Sequence, residues 1–308
     1  VILFLACASL GAIFSSGSPD FGFETALARF GQIEPLILVA SDGYYYNGKH
    51  FSTSETIAAL SEAMPSVQQT ILVPYAGDAL TKDVPKGDVY ISWQQWLEPA
   101  RSSADLEPLV FASLPFDHPL YILYSSGTTG LPKAMVHRTG GVLLNHHKEE
   151  HLHCDIRPGD VVFYFTTLGW MLWNWLVSNL AQGASIVLYE GSPSYPSISA
   201  PWEMAERLKI SFFGTSARFI HSCKSAALTP GLDYDLSKIR TLASTGSPLS
   251  PQGFQWIYDA VAKDVHLASI SGGTDIVSCF MLGVPTLPVY AGQIQAAGLG
   301  VDLVALIE

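Results

Sequence analysis

The segment Ser125-Ser126-Gly127-Thr128-Thr129-Gly130-Leu131-Pro132-Lys133 gathers hydroxyls, glycines and a terminal lysine in one short run. That composition suits an anion. Gly127 and Gly130 let the backbone turn its amides toward one point, because glycine enters positive φ without steric cost, and such a nest of N–H groups binds phosphate. Ser125, Ser126, Thr128 and Thr129 add hydroxyl donors, and Lys133 adds a compact positive charge. Each hydrogen bond to a charged oxygen contributes about 1.5–3 kcal/mol, so four or five together would hold a triphosphate at micromolar to millimolar concentration. Ordinary polar loops use the same residue types, but the density of donors and the closing lysine favour a phosphate cradle.

The Gly-x-x-x-x-Gly-Lys-Ser/Thr phosphate loop places its lysine directly after the second glycine. Here Leu131 and Pro132 intervene, so a different nucleotide-binding class is implied. Two further segments carry turn chemistry: Thr245-Gly246-Ser247-Pro248, and Ser271-Gly272-Gly273-Thr274-Asp275. Each also reads as a plain turn, the first with Ser250 capping the next helix and the second with Asp275 as a cap. A rival signal comes from His146, His147, Glu150, His151 and His153. His147-Lys148-Glu149-Glu150-His151 spells the His-x-x-Glu-His of one class of zinc peptidases. No third ligand is evident, and the cluster reads as a solvated helix face. No Gly-x-Ser-x-Gly elbow occurs, which leaves an α/β serine hydrolase with little support.

Residues 124–137, together with Gly159-Asp160, Thr166-Thr167-Leu168-Gly169-Trp170 and the segment ending in Asp275, resemble the AMP-forming acyl-CoA synthetases of the adenylate-forming superfamily. The likeness is greatest to members that activate acetoacetate, and it runs from Ser18-Pro19-Asp20-Phe21-Gly22 to Gly300. It implies ATP-dependent ligation of acetoacetate to coenzyme A through an acyl-adenylate. By the resemblance, Ser125, Ser126, Gly127, Thr128, Thr129, Gly130 and Lys133 grip ATP phosphates. Thr274 meets the α-phosphate, Asp275 holds Mg2+, and Gly246, Ser247 and Pro248 face the adenine. Lys133, Thr274 and Asp275 are thereby catalytic, with Asp275 one methylene shorter than the family's glutamate. Trp170, Met171 and Gly272 match the acyl pocket. The related acetyl-CoA synthetases carry tryptophan at the place of Gly272, so a hydrogen there implies room for an acid longer than acetate; acetate and propionate ligases remain open alternatives. The counterpart of His137 lies beside the active site, although a structural role fits it equally.

Gln293 departs from the family's glutamate, and no ribose-binding aspartate, hinge or C-terminal lysine is found after Gly300. The resemblance therefore implies an incomplete large N-terminal domain over residues 1–308, truncated at both ends and without the small C-terminal domain. Such a chain is expected not to turn over by itself, and a nucleotide-binding remnant is the companion reading.

These loops need a scaffold. A chain of 308 residues with 48% hydrophobic and 14% charged residues is globular, and its net charge of −11 argues against nucleic acid or an anionic membrane as partner. Four scattered cysteines without a Cys-x-x-Cys pair suggest neither a disulfide framework nor a zinc ribbon, and fit a reducing, cytoplasmic setting. Residues 1–14 are apolar but shorter than the roughly 20 that a membrane helix needs, and read as a buried core helix. The patterning predicts helices over 23–30, 56–64 (with a Ser52/Glu55 capping box), 93–97, 141–153, 170–181, 202–208, 217–226 and 251–261. It predicts strands over 37–40, 69–74, 120–123, 161–166, 185–189, 211–214, 240–244 and 265–269, and a loop over 78–88. Alternation of this kind means an α/β fold with parallel sheets flanked by helices. Ligands of such sheets sit at the strands' carboxyl ends, where the cradle, Thr166, Ser244 and Ser271 are expected to converge.

Overall fold

The computed structural model describes residues 1–77, 89–102, 108–125, 130–304 and 306. Ser126, Gly127, Thr128 and Thr129 of the expected cradle, and the 78–88 loop, lie outside the described residues. The chain divides into two compact units, Val1–His137 and Arg138–Glu308.

The first unit runs α1 (Ile2–Leu10), β1 (Phe14–Ser15), α2 (Phe23–Phe30), β2 (Ile37–Ser41), β3 (Gly43–Tyr46), β4 (Lys49–Ser52), α3 (Ser54–Ala63), β5 (Gln69–Val73), β6 (Tyr90–Ser92), α4 (Trp93–Ser102), β7 (Pro119–Ser125) and β8 (Lys133–Arg138). Its strands form sheets of order β1-β7-β8, β2-β5-β6 and β3-β4. Ala26 of α2 and Leu60 of α3 meet Met64 and Val67 in one small core.

Three expectations change here. Within residues 1–14 a helix forms over Ile2–Leu10, but only Phe4 of it is buried, while Ile2, Leu5 and Leu10 are exposed. A helix that is apolar all round but packs along one stripe leaves its other faces uncovered. Among the described residues, no helix is long and apolar enough to cross a membrane. Ser52 belongs to β4 and Thr53 is the N-cap of α3, with no side-chain cap hydrogen bond, so the Ser52/Glu55 box does not form. Finally, β3 and β4 make an unforeseen hairpin around Asn47-Gly48, both at positive φ. Asn-Gly favours this tight turn because each of its central residues must enter the left-handed region.

The second unit runs α5 (Thr139–Lys148) into a π-helical turn (Glu149–His153), then β9 (Val161–Tyr164), α6 (Met171–Ser178) with a 3₁₀ turn (Asn179–Gln182), β10 (Ser185–Val187), α7 (Ala200–Leu208), β11 (Phe212–Ser216), α8 (Ala217–Ser225), α9 (Pro230–Asp233), β12 (Thr241–Thr245), α10 (Pro251–Ala260), β13 (His266–Ser269), β14 (Ser271–Gly273), β15 (Ser278–Leu282) and β16 (Ala296–Ala297). Its main sheet is parallel throughout, in the order β10-β9-β11-β12-β13. Period-two alternation assigns its two faces. Phe163, Phe213, Leu242 and Leu267 pack with Trp202, Ile220 and Ile257 on one side. Val162, Phe212, Ala243 and Ala268 pack with Trp175 and Leu176 on the other. Each such Val, Leu or Phe contributes about 1.5–3 kcal/mol by leaving water, which is why helices cover both faces.

At the other edge, Arg240 ties the β12 entrance to the β9 entrance. Its guanidinium donates to both carboxylate oxygens of Asp160, at 2.7 Å each, and Arg157 N adds a third bond at 2.8 Å. Burial pushes the Asp160 carboxyl up, but the bonds from Arg240, Arg157 and Ser211 outweigh it and hold the carboxyl below its ordinary value. Replacing Arg240 by alanine is expected to lower stability by about 1–2 kcal/mol at pH 7, discounted for the exposed half of the arginine. A group whose folded pKa is depressed stabilises above its unfolded value and loses that contribution as pH falls. Urea unfolding should therefore show the gap between wild type and variant closing toward pH 3.

Candidate nucleotide site

The exits of β12 and β13 are stitched together. Thr245 Oγ1 donates to Ile270 O at 2.9 Å, and Ile270 N donates to Ser244 O at 2.8 Å. The two turns singled out in the sequence leave from this edge. Gly246 stands at φ +89°, with open space where a Cβ would point. Glycine is needed there for its backbone, not for room. Gly246, Ser247 and Pro248 are all exposed. Ser250 caps α10 as expected, accepting from Gly253 N at 3.2 Å, and its Oγ lies 3.0 Å from His221 Nε2. A cavity of about 640 Å³ lined by Arg218, His221, Ser222, Ser225, Ala226 and Ser247 opens beside this turn.

From β13 the chain passes into β14, and residues 274–277 turn back into β15. Val277 N donates to Thr274 O at 3.2 Å. Thr274 is half-buried and Asp275 exposed. Mg2+ takes one or two carboxylates and completes its shell with water and phosphate oxygens. The exposed carboxylate of Asp275 fits that donor set.

Gly272 pairs with Cys279 across β14 and β15, just after a register shift. A Cβ there would lie 2.4 Å from Ser278 O. The glycine is thus demanded by a backbone approach, beyond any space it leaves for a ligand. After β9, Trp170 N donates to Thr167 O at 3.1 Å, and Trp170 caps α6 with its indole 67% exposed. Met171 is half-buried against the Val162 and Trp175 cluster. Trp173 and Trp175 are core residues.

In the first unit, Ser125 ends β7 and Lys133, exposed, opens β8. Gly130 is also exposed. His137 is buried on β8, its ring centroid 5.8 Å from that of Tyr121.

The helix that carries the histidine cluster is not a solvated face. His146, Glu149, Glu150 and His153 are all buried, the two acids completely. Leu143, Leu144 and Leu152 are exposed on the same stretch. The polar residues recur at three- and four-residue spacing, which is the signal of one helix face, and partners from distant elements satisfy them. Glu150 turns inward to Ser178 and Gln182, whereas His147 and His151 stay exposed and stack ring on ring at 6.0 Å. Among the described residues no group of three His, Cys, Asp or Glu is placed to hold a metal ion, so the zinc-peptidase pattern is not realised there. The sequence reading also passed over Asn174. It is 1% exposed on α6, and its amide has no hydrogen bond among the described residues. An amide inside the otherwise apolar Met-Leu-Trp-Asn-Trp-Leu-Val run was the available signal.

This parallel-sheet α/β architecture, with glycine turns leaving adjacent strand ends, places the molecule among nucleotide-activating folds. The chain belongs to the AMP-binding enzyme family, whose match covers residues 1–301. It is 49% identical over 302 residues to the acetoacetyl-coenzyme A synthetase of Rhizobium meliloti (strain 1021), covering 97% of this chain and 45% of that protein. The solved acetoacetyl-CoA synthetase from Streptomyces lividans superposes with a TM-score of 0.88 at 46% identity, over 97% of this chain and 45% of that one. A malonamoyl-CoA synthetase from Penicillium aethiopicum is 38% identical over 324 residues, covering 99% of this chain and 44% of that protein. The chain thus spans less than half the length of these relatives.

Proposed function

We propose that this chain carries the nucleotide- and acid-binding part of an AMP-forming acid–CoA ligase acting on acetoacetate. The observation that carries the reading is that Gly246-Ser247-Pro248 leaves the end of β12, while the β14–β15 hairpin whose turn carries Thr274-Asp275 follows the end of β13, the adjacent parallel strand stitched to it; the ends of such sheets are where nucleotides bind. The names of the relatives supply the substrate class. Acetoacetyl and malonamoyl groups are both short acyl groups with a second carbonyl at the β position.

In the reaction the acid's carboxylate attacks the α-phosphorus of ATP and pyrophosphate leaves; the thiol of coenzyme A then displaces AMP from the acyl-adenylate. Two anions must approach, so the protein's contribution is positioning and charge neutralisation. Lys133 and the hydroxyls of residues 125–129 hold the outer phosphates, Thr274 donates to the α-phosphate, and the Gly246-Ser247-Pro248 backbone meets the base. Asp275 would hold Mg2+, which would supply positive charge to neutralise the phosphates. Trp170, Met171 and Gly272 border the acid.

Calorimetry with Mg-ATP tests this. Lys133→Ala and Thr274→Ala should each weaken binding by about 1.5–3 kcal/mol, roughly 10- to 150-fold. Wild-type affinity in both variants, or no binding by wild type, would overturn the assignment. Calorimetric binding of acetoacetate compared against acetate and propionate in the presence of Mg-ATP tests the choice of acid.

A further inference from the structure

Val277 closes the turn that carries Thr274 and Asp275, and it does so at φ +48°, a conformation that crowds a β-branched side chain. Its carbonyl oxygen lies 2.8 Å from His146 Nε2. A carbonyl only accepts, so Nε2 carries a proton, and in the neutral ring Nδ1 is then an acceptor. Nδ1 lies 2.9 Å from Ser178 Oγ. That same hydroxyl is 2.5 Å from Glu150 Oε1 and 2.6 Å from Trp175 O. One hydroxyl proton cannot serve three acceptors. Trp175 O is also served by Asn179 Nδ2 at 2.9 Å, and with the His146 ring neutral the count closes when Glu150 is a carboxylic acid. Oε1–H then donates to Ser178, Ser178 to His146 Nδ1, and His146 Nε2–H to Val277 O, while Oε2 accepts from Gln182 Nε2 at 3.1 Å.

We propose that Glu150, Ser178 and His146 form a directional hydrogen-bond chain that clamps the Val277 carbonyl and so sets Thr274 and Asp275, with Glu150 a positioning residue that acts only when protonated. What the turn holds rests on the ligase reading; the clamp does not. The rest of the π-helical segment grips the same hairpin. Glu149 Oε1 accepts from Cys279 N at 2.9 Å and from the Ser278 hydroxyl. His153 Nδ1 lies 2.9 Å from Gly283 O, and its Nε2 accepts from Leu299 N at 3.1 Å. Inserted π turns recur at functional sites. Burial raises the Glu150 carboxyl to about 8, against the bonds from Ser178 and Gln182 and with added repulsion from Glu149. The titratable groups around it are Glu149, His146, His147 (which shares Gln182) and Cys154. The sequence of α6 and its 3₁₀ turn contains no titratable side chain.

Hydrogen exchange of residues 274–280 in the full chain tests the clamp, with rates corrected for intrinsic exchange between pH 7 and 9. At pH 9 about a tenth of Glu150 stays neutral, so wild-type protection should fall about tenfold across the window. Glu150→Gln should keep it flat, because an amide donates to Ser178 and accepts from Gln182 as the acid does. Ser178→Ala should lose protection already at pH 7; should it fail to fold, the wild-type titration alone decides. Flat wild-type protection, or equal loss in Glu150→Gln, would overturn the clamp. Mg-ATP affinity is measured alongside. Protection that follows the clamp in a chain that never binds Mg-ATP would leave the clamp standing and refute the ligase reading. Binding with pH-independent protection would do the reverse.

Discussion

Gly272→Trp is expected to break the β14–β15 pairing before it narrows an acyl pocket, lowering stability by about 3 kcal/mol or more. The first side-chain carbon, not the indole, is responsible. A Cβ at this position meets Ser278 O at 2.4 Å and Cys279 Cα at 3.1 Å. Overpacking a well-filled region costs about 1–3 kcal/mol when side chains can shift, and here the obstacle is backbone. That backbone has little freedom to yield, because buried Glu149 holds Ser278 and Cys279. Gly272→Ala separates the explanations. If Gly272 matters only by leaving room for the acid, alanine is nearly silent and tryptophan shifts the binding affinity among short acids. If the backbone approach decides, both variants unfold at lower urea, with alanine showing most of the loss.

The second large effect has the opposite sign. Glu150→Gln is expected to stabilise the protein by about 3–4 kcal/mol at pH 8, with the gap vanishing below about pH 4.5. Burial lifts the folded carboxyl from 4.5 to about 8. A group with a raised folded pKa contributes stability that is fully present below its unfolded value and is lost as pH rises through the folded one. Glutamine is neutral throughout and escapes that loss. Thermal unfolding of both proteins from pH 4 to 9 reads the difference; parallel curves would show that Glu150 does not titrate between those limits.

The parallel sheet was legible because its strands are short apolar runs with different partners on alternate residues, as in Phe212-Phe213 and Leu242-Ala243. The turn at Gly246 followed, since it leaves the end of one of these strands. Local reading failed where distant partners decide the outcome. Glu150 and His146 look like solvent residues until Ser178 and Val277, 28 and 131 residues away, satisfy them. The β14–β15 pairing was missed because Ser271-Gly272-Gly273 has turn composition, and its need for glycine depends on Ser278 across the hairpin. The Asn47-Gly48 hairpin was different: its signal is local and was overlooked.

The inverted polarity of α5 and its π turn bears on how this stretch tolerates change over generations. A buried leucine has substitutes, since isoleucine or methionine of similar volume costs less than about 1.5 kcal/mol. Glu149 has almost none, because only glutamine offers another acceptor oxygen at that reach for Cys279 N and the Ser278 hydroxyl. Drift is therefore free on the outward leucines and nearly closed on the inward acids and histidines. The segment gives up mutational robustness for accuracy of placement, and its permitted changes run opposite to those of an ordinary amphipathic helix.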